Sequence, residues 1–296
     1  MVPKIFLTLS LIFATLVWAP GARAQTGVEI MTEVDRVARE SSSSVLQEVK
    51  LISCKYGKKD GKTVCTERPR TKRIESVQLD AGDRQEDSKT VSFILEPIGE
   101  KGMAMLSYEF DAQDKDNVSW LYLPAMGKVK KIISSDPDDD SGSSFFGSEF
   151  FLEDLENIDV DDYTYPHIEE GQYQGRPVWI IEAVPVPAHL RKTRYGKSKL
   201  WIDRERHILL MSQLYDKRLK PYKQITMSRI EQIDGVWTPR RTIVKNLVSK
   251  RMSVMMVTSV CFNVNVSPQF LTQRALIDFA YRERELAGLR KHLQGK

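Results

Sequence analysis

The sequence predicts a mainly β protein, one large, strongly curved antiparallel sheet or open barrel of about eleven or twelve strands. Three observations lead there. Stretches of period-two alternation recur at short intervals between residues 44 and 265. Compact turn sequences such as Pro97-Ile98-Gly99 and Ile233-Asp234-Gly235 join several of them, leaving no room for the helical crossovers of a parallel sheet. The longer helical patterns sit at the two ends of the chain.

The first two dozen residues read as a cleavable export signal. Lys4 supplies the positive start, Ile5 to Trp18 the apolar run, and Ala22-Arg23-Ala24 the small-x-small cleavage site, so residues 1–24 are expected to leave and the mature chain to begin at Gln25. The alternative is that the apolar run is retained as an anchor. No cysteine lies near the site for lipid attachment, and no later apolar run reaches the roughly 18 residues of a membrane span. The expected compartment is the periplasm.

Val28, Met31, Val34, Val37 and Ala38 recur at helical spacing, which predicts an amphipathic helix over Val28–Arg39 packed on the main body. From Ser44 the period changes to two, marking the first strand. Strand candidates follow at 63–79, 90–97, 103–110, 118–123, 128–133, 177–184, 197–203, 207–215, 220–232, 236–247 and 252–265. Cys54 and Cys65 flank Lys58-Lys59-Asp60-Gly61-Lys62, whose Asp-Gly signals a hairpin turn, and in an oxidising compartment they are expected to pair. Cys261, in a Val-rich setting, is then a buried free thiol.

Two features interrupt the strands. Ser134 to Ser144 is polar and acidic with Pro and Gly, which predicts a loop, the most mobile part of the domain through Ser148. Ser148 to Leu155 offers a cap, an acid in its first turn and Phe151, Leu152 and Leu155 on one side, which predicts a short helix. Thr272 to Gln294 is a polar amphipathic helix. The division is therefore a β domain over 25–275 and a helical extension over 276–296, serving as a cap or arm.

The chemistry this chain excludes is as informative. Lys+Arg number 44 against 40 Asp+Glu, and losing Lys4 and Arg23 with the signal leaves an excess of two; nucleic acid demands a basic stripe and is not an expected partner. The run Asp136-Pro137-Asp138-Asp139-Asp140 invites a calcium reading, but the turn glycine is displaced to Gly142 and Gly147 stands where a bidentate Glu is needed, so a solvated acidic loop is the plainer account. His167, His189, His207 and His292 form no close ligand pair, and no nucleophile elbow occurs. Neither an enzyme, nor a cofactor, nor a metal is expected. Trp120, Tyr122, Trp179, Trp201, Tyr215, Tyr222 and Trp237 all fall in strand candidates. They are either ordinary sheet packing or, on a curved sheet, the wall of an apolar concavity.

Trp120-Leu121-Tyr122-Leu123-Pro124-Ala125-Met126-Gly127-Lys128-Val129-Lys130-Lys131-Ile132, then Phe145-Phe146-Gly147-Ser148-Glu149-Phe150 and Glu153-Asp154-Leu155, resemble the signature of the outer membrane lipoprotein-sorting protein family, relatives of the periplasmic lipoprotein carrier LolA. A second block, Leu200-Trp201-Ile202-Asp203 through Ile233-Asp234-Gly235-Val236-Trp237-Thr238-Pro239, is similar to that family as well. The resemblance covers about residues 28–275. It implies an unclosed antiparallel barrel whose apolar concave face is covered by helices and takes acyl chains, and it implies a link to exporters of the resistance-nodulation-division (RND) type. The acidic stretch 136–140 and the helix beyond residue 275 depart from the pattern.

Two functions follow as expectations. One is a carrier holding a lipid, or the acyl chains of a lipoprotein, for transfer between membranes; the other is an accessory subunit of an RND-type transporter that carries nothing, with the C-terminal helix and acidic loop as its contacts. The candidate ligand-binding residues are Trp120, Tyr122, Trp179 and Trp201 in the concavity, with Phe145, Phe146, Phe150, Phe151 and Leu155 as a lid over its mouth. The same five apolar residues equally suit a plug in the core.

Overall fold

A computed structural model describes residues 25–82, 85–112, 115–133 and 144–294. The expected signal segment 1–24 and the acidic loop 134–143 lie outside the described residues. The strands are β1 (Ser44–Lys59), β2 (Lys62–Cys65), β3 (Arg70–Ala81), β4 (Asp87–Glu96), β5 (Ala104–Glu109), β6 (Val118–Leu123), β7 (Lys128–Ile133), β8 (Tyr163–Tyr173), β9 (Arg176–Pro185), β10 (Tyr195–Asp203), β11 (Leu209–Asp216), β12 (Pro221–Ile233), β13 (Val236–Asn246) and β14 (Arg251–Phe262). The helices are α1 (Gly27–Glu40), α2 (Pro187–Lys192), α3 (Gln273–Ile277) and α4 (Phe279–Gln294).

All fourteen strands join one antiparallel sheet in the order β7-β6-β5-β4-β3-β1-β14-β13-β12-β11-β10-β9-β8, with β2 paired to β1. Along this path paired strands are consecutive in sequence except β3 with β1, which the β1–β2 hairpin separates, and β1 with β14, Val45 opposite Phe262. Three of the hairpins turn on two residues with positive φ: Asp60-Gly61, Gln174-Gly175 and Asp234-Gly235. Two consecutive left-handed residues match the right-handed twist of the strands they join, and glycine fills the second place without steric cost. The sheet is not closed. Among the described residues neither β7 nor β8 has a second strand neighbour, so these edges face the opening.

The strand reading differs from the structure in two places. The stretch 63–79 is two strands, separated at Thr66–Pro69, where Pro69 has no N–H to offer a ladder. β8 was not expected at all: Tyr163, Tyr165 and Ile168 pack only partly buried against the α1 cluster, and the register irregularity between Thr164 and His167 breaks the period of two. The helix expected over 148–155 reduces to one 3₁₀ turn at Leu152–Asp154, with Ser144 and Phe151 bridged as extended chain before it. The C-terminal helix breaks at Asp278, whose carboxylate accepts the Tyr281 N–H at 2.9 Å and caps α4. At the other end Thr26 and Glu29 form a reciprocal capping box on α1.

Both faces of the sheet are covered. Val49 and Leu51 of β1, Ile74 and Ile94 of β3 and β4, and Leu214, Ile225 and Val244 of β11–β13 converge on the single segment Phe145–Leu152. Strands so far apart meet one segment only on the concave side of a curved sheet. The same side carries α1, whose Ile30 and Met31 pack on Trp179, Ile181, Leu200 and Ile202 of β9 and β10. The opposite, convex side of β1 and β3–β6 is covered by the chain after β14: Phe270, Leu271, Leu276, Leu286 and Leu289 pack on Leu46, Val77, Val91, Phe93 and Leu106. The segment expected as a cap or arm is thus seated on the sheet, and a buried ion pair pins it, Arg290 Nη2 lying 2.6 Å from Glu75, which is fully buried.

Cys54 and Cys65 form a disulfide with Cα atoms 5.7 Å apart. Cys65 lies opposite Tyr56 in the β1–β2 hairpin, so the bond runs diagonally across it. Cys261 is buried and free of a disulfide.

Candidate functional site

Among the described residues, three adjoining spaces lie on the concave side. The largest has a volume of about 490 Å³ and lies between α1, residues 150–158 and strands β10–β14. Its wall is mostly apolar: Val34, Leu200, Leu209, Leu214, Ile225 and Met227 are representative. The size and lining are those of a small-molecule or lipid site. The β strands supply these residues at alternate positions, Ile225 and Met227 on β12 for example, as a half-buried strand requires.

The second space, about 200 Å³, lies over β1 and β3–β6 and has a different character. Its wall is built from Gln47, Ser76, Gln78, Ser92, Ser107 and Ser119, with Glu109 and Glu156 at one end. The serines pair across strands, Ser76 with Ser92 and Ser107 with Ser119, each at 2.7 Å. The third space, about 160 Å³, adjoins it at Glu109 and Asn117 and is lined by charges of both signs: Arg39 pairs with Asp111 and Asp159, His189 with Asp162 and Lys192 with Asp116. Glu156 and Asn157 line all three spaces, and Leu155 and Met255 stand between the first two.

Residues 144–162 form the cover, and buried polar groups hold it. Lys223 Nζ on β12 lies 2.7 Å from Asp154 Oδ2 with neither side chain exposed, and it sits 3.2 Å from the centre of the Phe151 ring. Tyr195 donates its hydroxyl to the other oxygen of Asp154. Burial pulls the Lys223 ammonium below its ordinary value, against the opposing pull of Asp154. Two further ties fix the start of the segment: Lys72 Nζ donates to the Phe146 carbonyl at 2.7 Å, and the Glu149 N–H to Ser253 Oγ at 2.9 Å.

The carboxyl groups around the junction are held well above their usual range. Burial, with the neighbouring Asp80 and Asp159, pushes Glu109 up to about 7. Burial and the charge of Glu109 push Glu156 up to about 8. Burial raises Glu153 and Asp159 to about 6 each. Arg39 at the end of α1 offsets part of this, 2.7 Å from Asp159 and 2.6 Å from Asp35. Among the described residues, no group of three or more His, Cys, Asp or Glu could hold a metal ion.

The residues singled out in the sequence divide between these surroundings. Phe150 and Leu155 line the large cavity, and Phe145 and Leu155 line the serine-walled one. Phe145, Phe146, Phe150 and Phe151 are all buried against the sheet, so they pack into the core of the concave side as well as roofing the cavities. Trp179 lies on the concave side but is covered by α1. Trp120 and Tyr122 do not line the concavity: they point to the convex side, beneath the C-terminal helices, with Trp120 edge-on to Tyr108 at 5.0 Å. Trp201 also faces away, opposite in alternation to Leu200 and Ile202, with Lys199 Nζ 5.9 Å from its ring.

The reason for this correction is that β6 is buried on both faces, so alternation there marks two apolar sides without saying which is concave. Glu109, Glu156, the paired serines and Lys223 with Asp154 were not found from sequence. A serine on each of β3–β6, Ser76, Ser92, Ser107 and Ser119, was the available signal for a polar inner wall.

Comparison with known proteins bears on the fold and on membership. A family model described as "Uncharacterized protein" matches residues 86–278. The chain belongs to that family. No curated protein matches it. Among solved structures, a DUF1329 family protein from Desulfovibrio piger is similar at 24% identity and a TM-score of 0.72, covering 84% of this chain and 97% of the other. A candidate outer membrane lipoprotein-sorting protein domain from Vibrio parahaemolyticus is similar at 22% identity and a TM-score of 0.72, covering 85% and 98%. A LolA superfamily protein from Nitrosomonas europaea matches at 18% identity and a TM-score of 0.61, covering 84% and 98%. At these identities the likeness establishes the shared LolA-like fold.

Proposed function

We propose that this protein is a periplasmic carrier that binds a lipid, or the acyl chains of a lipid-anchored protein, in the cavity beneath α1 and residues 150–158, and passes it between membranes. The observation that carries this reading is the apolar space of about 490 Å³ on the concave side of an unclosed sheet. Acyl burial contributes about 0.8 kcal/mol per methylene, so one or two chains are held firmly without a charged anchor. Release then needs a better acceptor or an open state of the cover, since a ligand shifts an equilibrium only by its difference in affinity for the two states. The two structures at TM-score 0.72 share this fold, and one of them is described in terms of lipoprotein sorting.

An accessory subunit of an RND-type transporter is the rival. It has less support, because the apolar face of α4 is occupied by the sheet and not left open for a partner. The test is native mass spectrometry of protein purified from its own periplasm, followed by lipid extraction. A discrete co-purifying lipid, lost when Ile225 and Met227 are replaced by Trp to fill the cavity, is the expected result; empty protein that still binds a membrane transporter overturns the carrier reading.

A further inference from the structure

The three spaces on the concave side share wall residues, and their linings differ: charged with both signs in the outer one, hydroxyl- and amide-lined in the middle one, apolar in the largest. A site for hydrocarbon alone has no use for the middle chamber. Hydroxyl and amide side chains facing a cavity need partners there, and the serine pairs, having spent one proton on each other, keep a further donor and lone pairs for an occupant. Among the described residues no Lys, Arg or His lines this chamber, whereas Glu109 and Glu156 both do. Beside them, buried at the junction with the outer space, Glu153 Oε1 accepts no hydrogen bond, and Arg194 Nε stands 3.6 Å from it.

We propose that the cargo is an amphiphile with an amine-bearing, cationic head, seated in the chamber of Ser76, Ser92, Ser107 and Ser119 against Glu109 and Glu156, with its hydrocarbon in the cavity between α1 and β10–β14. The proposal rests on the carrier reading and narrows its substrate class. An anionic head meets two carboxyl groups and no cation in the chamber. An ammonium supplies the charge that these carboxyls lack and the donors that they and the serines accept. The raised affinity of Glu109 and Glu156 for protons fits a site that is short of positive charge when empty. Leu155, Glu156 and Asn157 belong to the walls of both spaces, so the two lie side by side and one molecule reaching from head to tail would cross only that shared boundary.

The test compares dodecylamine, dodecanol and laurate, matched in chain length, as displacers of the neutral probe N-phenyl-1-naphthylamine from the purified protein at pH 7.5. Dodecanol reports the tail site alone. The expected order is dodecylamine at least tenfold tighter than dodecanol, with laurate weaker than dodecanol. Dodecylamine no tighter than dodecanol overturns the inference and leaves the carrier reading standing; failure of all three to displace, with no probe bound, overturns the carrier reading and the inference with it. In E109Q/E156Q the amine-to-alcohol preference is expected to fall close to one. A preference that persists there overturns the assignment of the head site. Should the double variant not fold, E109Q alone carries the same readout, with a partial loss of preference.

Discussion

The two coverings of the sheet are built differently. On the convex side the C-terminal chain packs Phe270, Leu271, Leu276 and Leu286 against β1 and β3–β6 and leaves no space among them. On the concave side residues 144–162 and α1 pack four phenylalanines and then stop short, leaving three adjoining spaces and relying on Lys223, Asp154 and Tyr195 for their hold. Close packing is non-directional and favours any tight fit, whereas a buried ion pair stabilises one arrangement and penalises its half-broken forms. The first covering is core. The second behaves as a cover with a defined seat.

That contrast is sharpest in the response to truncation. Phe270→Ala on the convex side and Phe150→Ala on the concave side are each expected to cost about 3–5 kcal/mol in urea unfolding, both rings being buried to 1% exposure. Only the second also lowers lipid uptake, since only Phe150 lines the large cavity. Equal effects on uptake break the distinction. Next in size is the latch. Lys223→Met leaves Asp154 buried and unpaired and is expected to cost about 3–5 kcal/mol, most of it recovered in the double variant Lys223→Met/Asp154→Leu. A double variant no more stable than the single means that the pair is not what holds the segment.

The disulfide lies outside both coverings and sets a reference. Cys54→Ser/Cys65→Ser is expected to lower stability by at most about 3 kcal/mol, because the loop closed is short, and to leave lipid uptake unchanged. Peptide mapping without reduction checks the bond itself. The smallest effect concerns pH. Glu109 and Glu156 titrate in the folded chain at about 7 and about 8, above their ordinary value of 4.5, so the folded protein binds more protons than the unfolded one between about pH 4.5 and 8. Their contribution to stability is therefore greatest below pH 4.5 and is lost as pH rises through that window. E109Q/E156Q is expected to be more stable than the parent at pH 8.5 by about 1–2 kcal/mol, and by less at pH 5. A difference of the same size at both pH values removes the carboxyls as its cause.

Much of the sheet was legible because alternation and turn chemistry are local. Asp60-Gly61 and Asp234-Gly235 announce their hairpins in the sequence, and the backbone takes the two positive φ values that such turns need. β8 was not legible, since its apolar face holds only Tyr163, Tyr165 and Ile168 and the irregularity between Thr164 and His167 interrupts their rhythm. The site was less visible still. The lining of the large cavity comes from every second residue of β10–β14, and the same alternation describes a solid core; only the path of α1 over them decides which it is. Trp120 and Tyr122 look like cavity residues until Leu276 and Leu289 are found lying on their side of the sheet. Lys223 and Asp154 lie far apart in sequence, and nothing near either residue marks it as half of a buried pair.

The break between β7 and β8 has a mechanical consequence. A closed barrel has its girth fixed by strand number and shear, so a guest larger than the bore must tear a ladder. Here the ring is cut once: among the described residues no strand pairing spans it, and what bridges it is side-chain contact, such as Lys192 Nζ 2.9 Å from Asp116. Moving the two rims apart changes the curl of the sheet but parts no paired strands, because every backbone hydrogen bond of the sheet lies to one side or the other of the cut. The bore can therefore take guests of differing thickness at little cost in hydrogen bonding, and the width of the slot, more than the length of any strand, sets the largest one admitted.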